Sequence, residues 1–332
     1  MTKVAVLGAG NWGTALANLL ARKGCDVVLW AYEPEVAEEI TRTHRNPSYA
    51  PGAELVPTLR ATANAAEAVR GRDVIVSASP SQLVRRVLTP LAAVVPPSAL
   101  VVGASKGIEI ESLQRMSQVV AEALPGRPFV ALSGPSFAEE VGQRQPTAVV
   151  AAADRAADAE RVQQLFATPE FRVYTSSDVI GTELAGALKN VIAIAAGMLD
   201  GLGLGHNPRA ALITRGLAEI TRLGVALGAD PRTFAGLAGV GDLVLTTGGS
   251  LSRNRSLGVA LGKGESLAAF QAAHRSVTEG VDTARAAVRM AARAGVEMPI
   301  TSKVAECLFE AKPVRQAIGE LMERTLKPEL WT

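Results

Sequence analysis

One lysine in an otherwise apolar segment is the residue of this sequence best placed to do chemistry. Between Thr182 and Leu199 the only charged residues are Glu183 and Lys189. At helical spacing the side chains on the face of Lys189 are small, so they leave a groove beside its amine. Burial in a groove lowers the pKa of a lysine, which suits Lys189 to give and take a proton near neutral pH. The alternative is a lysine whose stem covers apolar surface while its amine reaches water.

Two further polar segments follow apolar runs that are typical of strands. Lys106 lies in GASKG (residues 103–107), and Gly134 and Ser136 lie in SGPSFA (residues 133–138). In a doubly wound sheet, ligands bind beyond the carboxyl ends of the strands. Both segments are therefore candidates for a binding site, although a solvated loop lysine and a plain turn with a helix cap would explain them equally well.

A carboxylate and a basic helix start complete the polar set. Asp242 lies in GVGDL (residues 239–243), an apolar turn flanked by glycines. Ser252, Arg253 and Asn254 follow a glycine-rich loop and open a helical run. Charge, a side-chain amide and free backbone N–H groups at such a start are suited to binding a phosphate. A surface loop with capping residues is the alternative interpretation.

The glycines of GAGNWG (residues 8–13) predict a second ligand, a dinucleotide. A short apolar run precedes them, a helical run follows, and a second apolar run closes a strand–helix–strand unit. In that setting Gly8 makes the tight turn, Gly10 lets a pyrophosphate approach the backbone, and Gly13 lets the helix pack against the strand. The start of the helix supplies free N–H groups and the positive end of its dipole to the phosphates.

The elements that must position these residues change character about halfway along the chain. Short apolar runs alternate with helical ones up to about residue 175, which predicts a mostly parallel sheet with helices on both faces. The predicted strands are Val4–Leu7, Val27–Trp30, Val74–Ala78, Leu100–Gly103, Phe129–Leu132, Ala148–Ala152 and Arg172–Tyr174. The predicted helices of this half include Thr14–Lys23, Ser81–Leu91, Ser112–Leu124 and Ala156–Phe166.

After Asp178 the strand signal disappears and long helical runs follow. The predicted helices are Asp178–Leu199, Pro208–Gly228, Thr278–Ala294, Pro299–Glu310 and Pro313–Leu326. Several of them begin with proline, which is favoured at the first position of a helix. The sequence therefore predicts an α/β Rossmann-type N-terminal domain with a mostly parallel sheet, residues 1–177, followed by an all-α domain, residues 178–332.

Composition narrows the function classes without naming a reaction. The chain has 332 residues, of which 48% are hydrophobic and 20% charged, and its net charge of +2 does not favour a nucleic-acid partner. Cys25 and Cys307 lie far apart, which fits a reducing compartment, and the three histidines show no metal spacing. Val191–Leu199 is too short to span a membrane, and no signal peptide precedes the first strand. We expect a cytoplasmic protein without nucleic acid, metal or membrane span.

Eight motifs, taken in order, carry a family resemblance. They are GAGNWGTALA (residues 8–17), ASKG (104–107), SGPSFA (133–138), LKNVIAIAAGM (188–198), TRGLAE (214–219), GVGDL (239–243), SRNR (252–255) and TEG (278–280). Together they resemble bacterial NAD(P)-dependent glycerol-3-phosphate dehydrogenase from residue 3 to about residue 310. The resemblance implies a helical domain like that of 6-phosphogluconate dehydrogenase and a homodimer. It also implies the reversible reduction of dihydroxyacetone phosphate to sn-glycerol 3-phosphate for glycerophospholipid synthesis.

The resemblance further implies a role for each matching residue. Lys189 would exchange the proton at C2 of the phosphorylated substrate. The substrate-binding residues would be Lys106, Gly134, Ser136, Asn190, Asp242, Thr246, Ser252, Arg253 and Asn254. The cofactor-binding residues would be Gly8, Gly10, Asn11, Trp12, Gly13, Tyr32, Tyr49, Lys106, Ala138, Arg253, Val277 and Glu279. The cofactor would be NADPH or NADH, with no metal.

One segment departs from the family pattern. Members often carry an arginine or histidine just past the second strand, where it can meet a 2′-phosphate, but this chain has Ala31, Tyr32 and Glu33 there. Glu33 lies near the distance from the glycine turn at which an acid binds a ribose 2′-hydroxyl. The cofactor preference is left open, because Arg42 or Arg45 could still fold back to a 2′-phosphate.

Two other functions stay open at this point. A β-hydroxyacid dehydrogenase of the same two-domain plan also uses a helix lysine, and Arg253 could then bind a substrate carboxylate. A protein that binds a dinucleotide without turning it over is the third hypothesis. In that case the groove around Lys189 and the segment around Asp242 would be packing features only.

Overall fold

An eight-stranded sheet organises the first half of the molecule. The structure is a computed structural model that describes residues 1–274 and 277–329. The strands are β1 (Lys3–Leu7), β2 (Asp26–Trp30), β3 (Arg45–Asn46), β4 (Ala50–Glu54), β5 (Arg60–Thr62), β6 (Val74–Ser77), β7 (Leu100–Gly103), β8 (Phe129–Ser133), β9 (Thr147–Ala152) and β10 (Phe171–Ser176). Their order in the sheet is β5-β2-β1-β6-β7-β8-β9-β10, with β3 and β4 forming a separate hairpin. The α/β fold with a mostly parallel sheet is thus confirmed.

The centre of the sheet is apolar because both of its faces are covered. Val4 of β1 pairs with Val27 on one side and Val74 on the other, and all three are fully buried. All neighbouring strands run parallel except β8 and β9. The chain reverses its winding direction between β1 and β6, so a crevice opens at the carboxyl ends of these two strands.

The helices on the two faces differ in part from the predicted ones. They are α1 (Asn11–Arg22), α2 (Pro34–Thr43), α3 (Ala65–Val69), α4 (Val84–Leu88), α5 (Met116–Ala123), α6 (Ala138–Gly142) and α7 (Ala156–Phe166). The predicted helix Ser81–Leu91 is wrong as one element, because two 3₁₀ turns flank α4 and Pro90 cannot donate a backbone hydrogen bond. The predicted helix Ser112–Leu124 begins only at Met116, since Leu113 adopts a φ of 60° in the preceding turn.

The described residues of the second half form helices and their connections, without strands. Its helices are α8 (Val179–Gly201), α9 (His206–Ala226), α10 (Pro231–Phe234), α11 (Asp242–Gly248), α12 (Arg253–Gly262), α13 (Leu267–Ala273), α14 (Glu279–Ala294), α15 (Pro299–Phe309) and α16 (Val314–Met322). Of the prolines expected at first helical positions, Pro299 occupies one, whereas Pro208 is the third residue of α9 and Pro313 precedes α16. The division of the chain at residues 177 and 178 stays a prediction.

Helix α8 is the axis of this half. It is long and apolar enough to cross a membrane, but 89% of its apolar 18-residue stretch is buried inside the protein. The nine-residue run Val191–Leu199 is therefore part of a longer apolar helix than its own length suggests. Because α9, α11, α12 and α14 surround α8, its apolar residues form the core of the helical half.

Two glycines bring α12 into direct backbone contact with α8. A Cβ atom at Gly197 would overlap the carbonyl of Arg255, and one at Gly258 would overlap the carbonyl of Ile194. Only glycine allows so close an approach of two helices. This packing places the start of α12, where Arg253 and Asn254 lie, beside Lys189 and Asn190 on α8.

Candidate active site

A buried network of two lysines and one aspartate joins the two halves of the molecule. Lys189 of α8 donates from Nζ to Oδ1 of Asp242, and Lys106 donates from Nζ to Oδ2 of the same carboxylate at 2.7 Å. Lys106 also donates to the carbonyl of Gly134 at 3.0 Å, and Lys189 to Oγ1 of Thr246 at 2.6 Å. Lys189 is 7% exposed and Asp242 fully buried. The structure thus brings five of the predicted site residues together.

The local backbone explains why Asp242 can serve both lysines. It is the first residue of α11 and follows a π-helical turn over Leu237–Gly241, so it does not lie in the plain turn that the sequence suggests. Such turns widen a helix locally and often occur at functional sites. Thr246 lies one helical turn later on the same face of α11, where it also donates to Asp242 at 3.4 Å.

Burial sets the proton affinity of Lys189. Desolvation lowers the pKa of its amine to about 8, against the opposing attraction of Asp242, and the neighbouring charge of Lys106 lowers it further. An ammonium group has three N–H donors, and Lys189 has two acceptors among the described residues. One N–H thus stays available to an oxygen atom of a ligand, at a pKa that allows proton transfer in either direction near neutral pH.

A second polar chain runs beside Lys189. Asn254 of α12 donates from Nδ2 to Oδ1 of Asn190 at 3.0 Å, and Oδ1 of Asn254 accepts from the backbone N–H of Gly280 at 2.9 Å. Asn190 is 6% exposed. The predicted residues Asn190 and Asn254 therefore contact each other, and α8, α12 and α14 meet at this point.

At the start of α12 the side chains of Ser252 and Arg255 are held by hydrogen bonds, whereas Arg253 is exposed. Ser252 caps the helix, since its Oγ accepts from the backbone N–H of Arg255 at 3.2 Å. Arg253 is exposed and has no hydrogen bond to another described residue. Arg255, which the sequence analysis did not assign, is tied to Asp200 of α8 at 2.7 Å and so anchors α12. The nearby carboxylate of Glu279 attracts Arg253, but Arg253 donates no hydrogen bond to a described residue, so it is the cation of this segment that can bind an anion.

The glycine turn after β1 has the shape that a dinucleotide requires. A Cβ at Gly13 would overlap the carbonyl of Gly8, whereas one at Gly10 would meet nothing within 4 Å. The space above Gly10 is where a pyrophosphate would approach the backbone. Asn11 at the start of α1 is exposed, and the buried Nε1 of Trp12 has no hydrogen-bond partner among the described residues. These residues fit the nucleotide cofactor.

Glu33, which precedes α2 and follows β2, is held in place. Its Oε1 accepts a hydrogen bond from the hydroxyl of Tyr49 at 2.7 Å, and Tyr32 beside it is exposed. Arg42 and Arg45 instead pair with Glu39 and Glu54. In the structure, therefore, neither arginine has folded back over the position of a 2′-phosphate.

The remaining predicted residues lie along the same crevice. Glu279, the first residue of α14, accepts hydrogen bonds from the backbone N–H and the hydroxyl of Ser81, which follows β6. Val277 is 42% exposed, and Ala138 begins α6. Ser136 donates to the carbonyl of Gly134 at 2.9 Å and does not cap α6.

Ser81 was missed by sequence reasoning although a signal for it exists. It follows β6, the strand that neighbours β1 at the reversal of winding, and residues at that position lie next to a bound dinucleotide. Glu183 of α8 makes a second tie between the halves, since it accepts from Arg115 and from the backbone N–H of Ser117 at 2.7 Å. These contacts hold the sheet and the helical half around one cleft.

The geometry defines a class of protein. A dinucleotide turn, a buried lysine with a pKa near 8 and an exposed arginine at a helix start converge on a cleft between a Rossmann-type sheet and a helical domain. No group of three or more His, Cys, Asp or Glu side chains suited to a metal ion occurs among residues 1–274 and 277–329. This is the arrangement of a two-domain nicotinamide-dependent dehydrogenase.

Comparison with known proteins identifies the family. Residues 3–159 match the model of the NAD-dependent glycerol-3-phosphate dehydrogenase N-terminus, and residues 178–319 match the model of its C-terminus. An NAD(P)+ glycerol-3-phosphate dehydrogenase of Geobacter sulfurreducens is 59% identical over 332 residues, covering 99% of each chain. The chain belongs to the NAD-dependent glycerol-3-phosphate dehydrogenase family of oxidoreductases.

Solved structures agree at the level of the whole chain. The crystal structure of glycerol-3-phosphate dehydrogenase from Coxiella burnetii is 39% identical, covers 97% of this chain and superimposes with a TM-score of 0.94. A ketopantoate reductase from Ralstonia eutropha is 18% identical with a TM-score of 0.61, which shows a related fold only. Family membership thus favours the first of the three functional hypotheses over a β-hydroxyacid dehydrogenase or a non-catalytic sensor.

Proposed function

We propose that this chain catalyses the reversible reduction of dihydroxyacetone phosphate to sn-glycerol 3-phosphate with Lys189 as its proton donor and acceptor. The observation that carries this assignment is the buried Lys189–Asp242–Lys106 network, in which each lysine has two protein acceptors. Each ammonium therefore keeps one N–H for a substrate oxygen.

The proton and the hydride arrive from different parts of the cleft. When bound, NADH or NADPH supplies a hydride to the carbonyl carbon C2. Lys189 gives its proton to the C2 oxygen as negative charge develops there, and Lys106 adds a second positive charge. In the reverse direction neutral Lys189 takes the proton from the C2 hydroxyl. Asp242 keeps both amines in place and offsets their mutual repulsion.

Substrate recognition depends on the phosphate. Arg253 is the exposed cation at the start of α12, where backbone N–H groups also favour an anion. A guanidinium can bind a phosphate through two parallel hydrogen bonds. Ser252 supports this role because it caps α12 and thereby fixes the backbone from which Arg253 extends.

Location, assembly and purpose belong to the same proposal. Cys25 and Cys307 are both unpaired, which suits a reducing cytoplasm. The family resemblance supports a homodimer and a role in supplying sn-glycerol 3-phosphate to glycerophospholipid synthesis. It also supports a cofactor-binding domain of residues 1–177 and a catalytic domain of residues 178–332, since α8 begins directly after this point.

A direct assay tests the activity. We expect the absorbance of NADH or NADPH to fall when dihydroxyacetone phosphate is added, and to stay constant with a panel of 3-keto acids. Oxidation of reduced cofactor with the keto acids alone would favour a β-hydroxyacid dehydrogenase. No oxidation with any substrate, despite cofactor binding, would favour the sensor hypothesis. Light scattering of the same sample gives the oligomeric state.

A further inference from the structure

A hydrogen bond from the backbone determines which end of the Asn254 amide faces Gly280. The backbone N–H of Gly280 can only donate, and it lies 2.9 Å from Oδ1 of Asn254. The amino end of Asn254 must therefore point the other way, where it lies 3.0 Å from Oδ1 of Asn190. The direction of the chain from Gly280 through Asn254 to Asn190 is thus set by a backbone group that cannot reverse.

The direction of these hydrogen bonds determines which end of the Asn190 amide has no partner among the described residues. Its carbonyl oxygen is occupied by Asn254, while no described residue accepts a hydrogen bond from its amino group. Asn190 follows Lys189 directly in α8, and both side chains are buried where α11, α12 and α14 pack against this helix. An amide that had turned over would instead present an acceptor, which would repel the carbonyl oxygen of a ketone substrate.

We propose that Asn254 is a positioning residue that fixes the amide of Asn190, so that Asn190 offers a hydrogen-bond donor to the reacting end of the substrate. This inference rests on the proposed function, and it gives Asn254 a task other than the phosphate contact that its place at the start of α12 suggests. Gly280 belongs to the same device, because a Cβ there would lie 2.6 Å from Oδ1 of Asn254 and 2.8 Å from the carbonyl of Asn190.

A substrate without phosphate separates the two roles. Turnover of dihydroxyacetone should fall about tenfold in Asn254→Ala, the effect of losing one oriented hydrogen bond. Asn254→Asp should be worse than alanine, because a carboxylate would draw the amino group of Asn190 away from the substrate. A residue that only contacts phosphate would leave this reaction unchanged in both variants, and that result would overturn the proposal.

A double-mutant cycle with dihydroxyacetone phosphate gives an independent answer. If Asn254 acts through Asn190, the Asn190→Ala/Asn254→Ala variant should be no slower than Asn190→Ala alone. Multiplication of the two single losses would contradict the proposal. An inactive wild type would instead reject the proposed function, so the two failures are distinguishable.

A glycine variant keeps the test valid if the asparagine variants fold poorly. Gly280→Ala retains both asparagines but displaces Asn254, and it should lower turnover of both substrates. Gly319→Ala in α16 is the matched control, because a Cβ there meets nothing within 4 Å. Full activity of Gly280→Ala with intact unfolding temperature would also count against the proposal.

Discussion

Two buried titratable clusters in the helical half show how differently similar groups can be used. Lys189 in the cleft has its pKa lowered to about 8 by burial, and Glu219 of α9 has its pKa raised to about 7 by burial. Glu219 accepts from the backbone N–H groups of Ile300 and Thr301 at 2.6 and 3.2 Å, and from the hydroxyl of Thr301 at 3.3 Å. It thereby holds the start of α15.

The difference lies in the partners and not in the size of the pKa shift. The donors to Glu219 all belong to the start of α15 in its own half of the chain, and Glu219 is 2% exposed, so a ligand cannot reach its carboxylate. Lys189 pairs with Asp242, which also binds Lys106 from the other half of the chain, and one N–H of Lys189 has no acceptor among the described residues. A shifted pKa by itself indicates only that a titratable group is buried. A shifted pKa together with an unused donor in a cleft indicates a reactive group.

Removing the amine of Lys189 should have the largest effect. Lys189→Met keeps the stem and removes the charge, so proton transfer and alkoxide stabilisation are lost together and kcat should fall by ~10²–10⁴ or more. Cofactor binding and the unfolding temperature should change little. In the wild type, reduction should decline as the pH rises through about 8, because the ammonium form is lost.

The control for this variant is Lys303→Met, a lysine paired with Glu306 and Glu320 away from the cleft. It should retain wild-type kcat. If a folded Lys189→Met enzyme kept more than about a tenth of wild-type kcat, Lys189 would have only a structural role, like Glu219. The proton would then come through Asp242 and water, or from Lys106.

Arg253→Ala should have the second largest effect and should act on binding. Loss of a charge-assisted contact to phosphate is expected to lower kcat/KM for dihydroxyacetone phosphate ~10- to 100-fold. Turnover of phosphate-free dihydroxyacetone should be nearly unchanged. Arg253→Lys should recover only part of the loss, since an ammonium lacks the bidentate fork. Arg293→Ala, an exposed arginine of α14, is the control; unchanged kcat/KM in Arg253→Ala would move the phosphate site toward Lys106.

Glu33 resembles Glu219 because it accepts a hydrogen bond from the protein, here from Tyr49. It resembles Lys189 because the sequence pattern places it near a ligand, the cofactor. Because it would repel a 2′-phosphate, we expect kcat/KM with NADH within about tenfold of that with NADPH, a difference of ~1.4 kcal/mol. Steady-state kinetics with both cofactors measures this directly. An NADPH preference above a hundredfold would mean that Arg42 or Arg45 leaves its present partner to bind the phosphate.

Glu219→Gln should affect stability only. The carboxyl pKa is near 7 in the folded protein and about 4.5 when unfolded, so the folded state binds more protons between these values and stability falls as the pH rises through this window. The variant should lose this dependence, worth about 3 kcal/mol. Urea unfolding at pH 5 and pH 8 measures it. Reduced kcat in a stable variant would contradict the contrast with Lys189.

Most of the fold could be predicted because its signals are local. The strands are indicated by apolar runs, and the dinucleotide turn by glycines that its tight backbone requires. All seven predicted strands therefore occur in the structure within one or two residues of their predicted ends. The short strand β5 escaped prediction, because Arg60–Thr62 is stabilised by pairing with β2 and not by its own composition. Helix Ser81–Leu91 failed as one element because 3₁₀ turns flank α4 and Pro90 lacks a backbone N–H.

The candidate site was predictable by residue but not by contact. Lys189 and Asp242 stand out because each is a charge in an apolar segment; the structure shows that they contact each other, and their roles stay a prediction. That Lys106 shares the same carboxylate depends on a π-helical turn that has no clear sequence signal. The orientation of Asn254 depends on a backbone group in another helix, which no spacing rule reveals.

The burial of α8 has a consequence for the synthesis of the chain. Its 23 residues leave the ribosome before α9, α12 and α14, which cover it, and the last of these ends at Ala294. At typical elongation rates the helix would stay uncovered for roughly 5–20 s. A helix of this length could span a bilayer. A chain that stopped near residue 205 would therefore leave an apolar helix uncovered, while the complete chain buries α8 within its own fold.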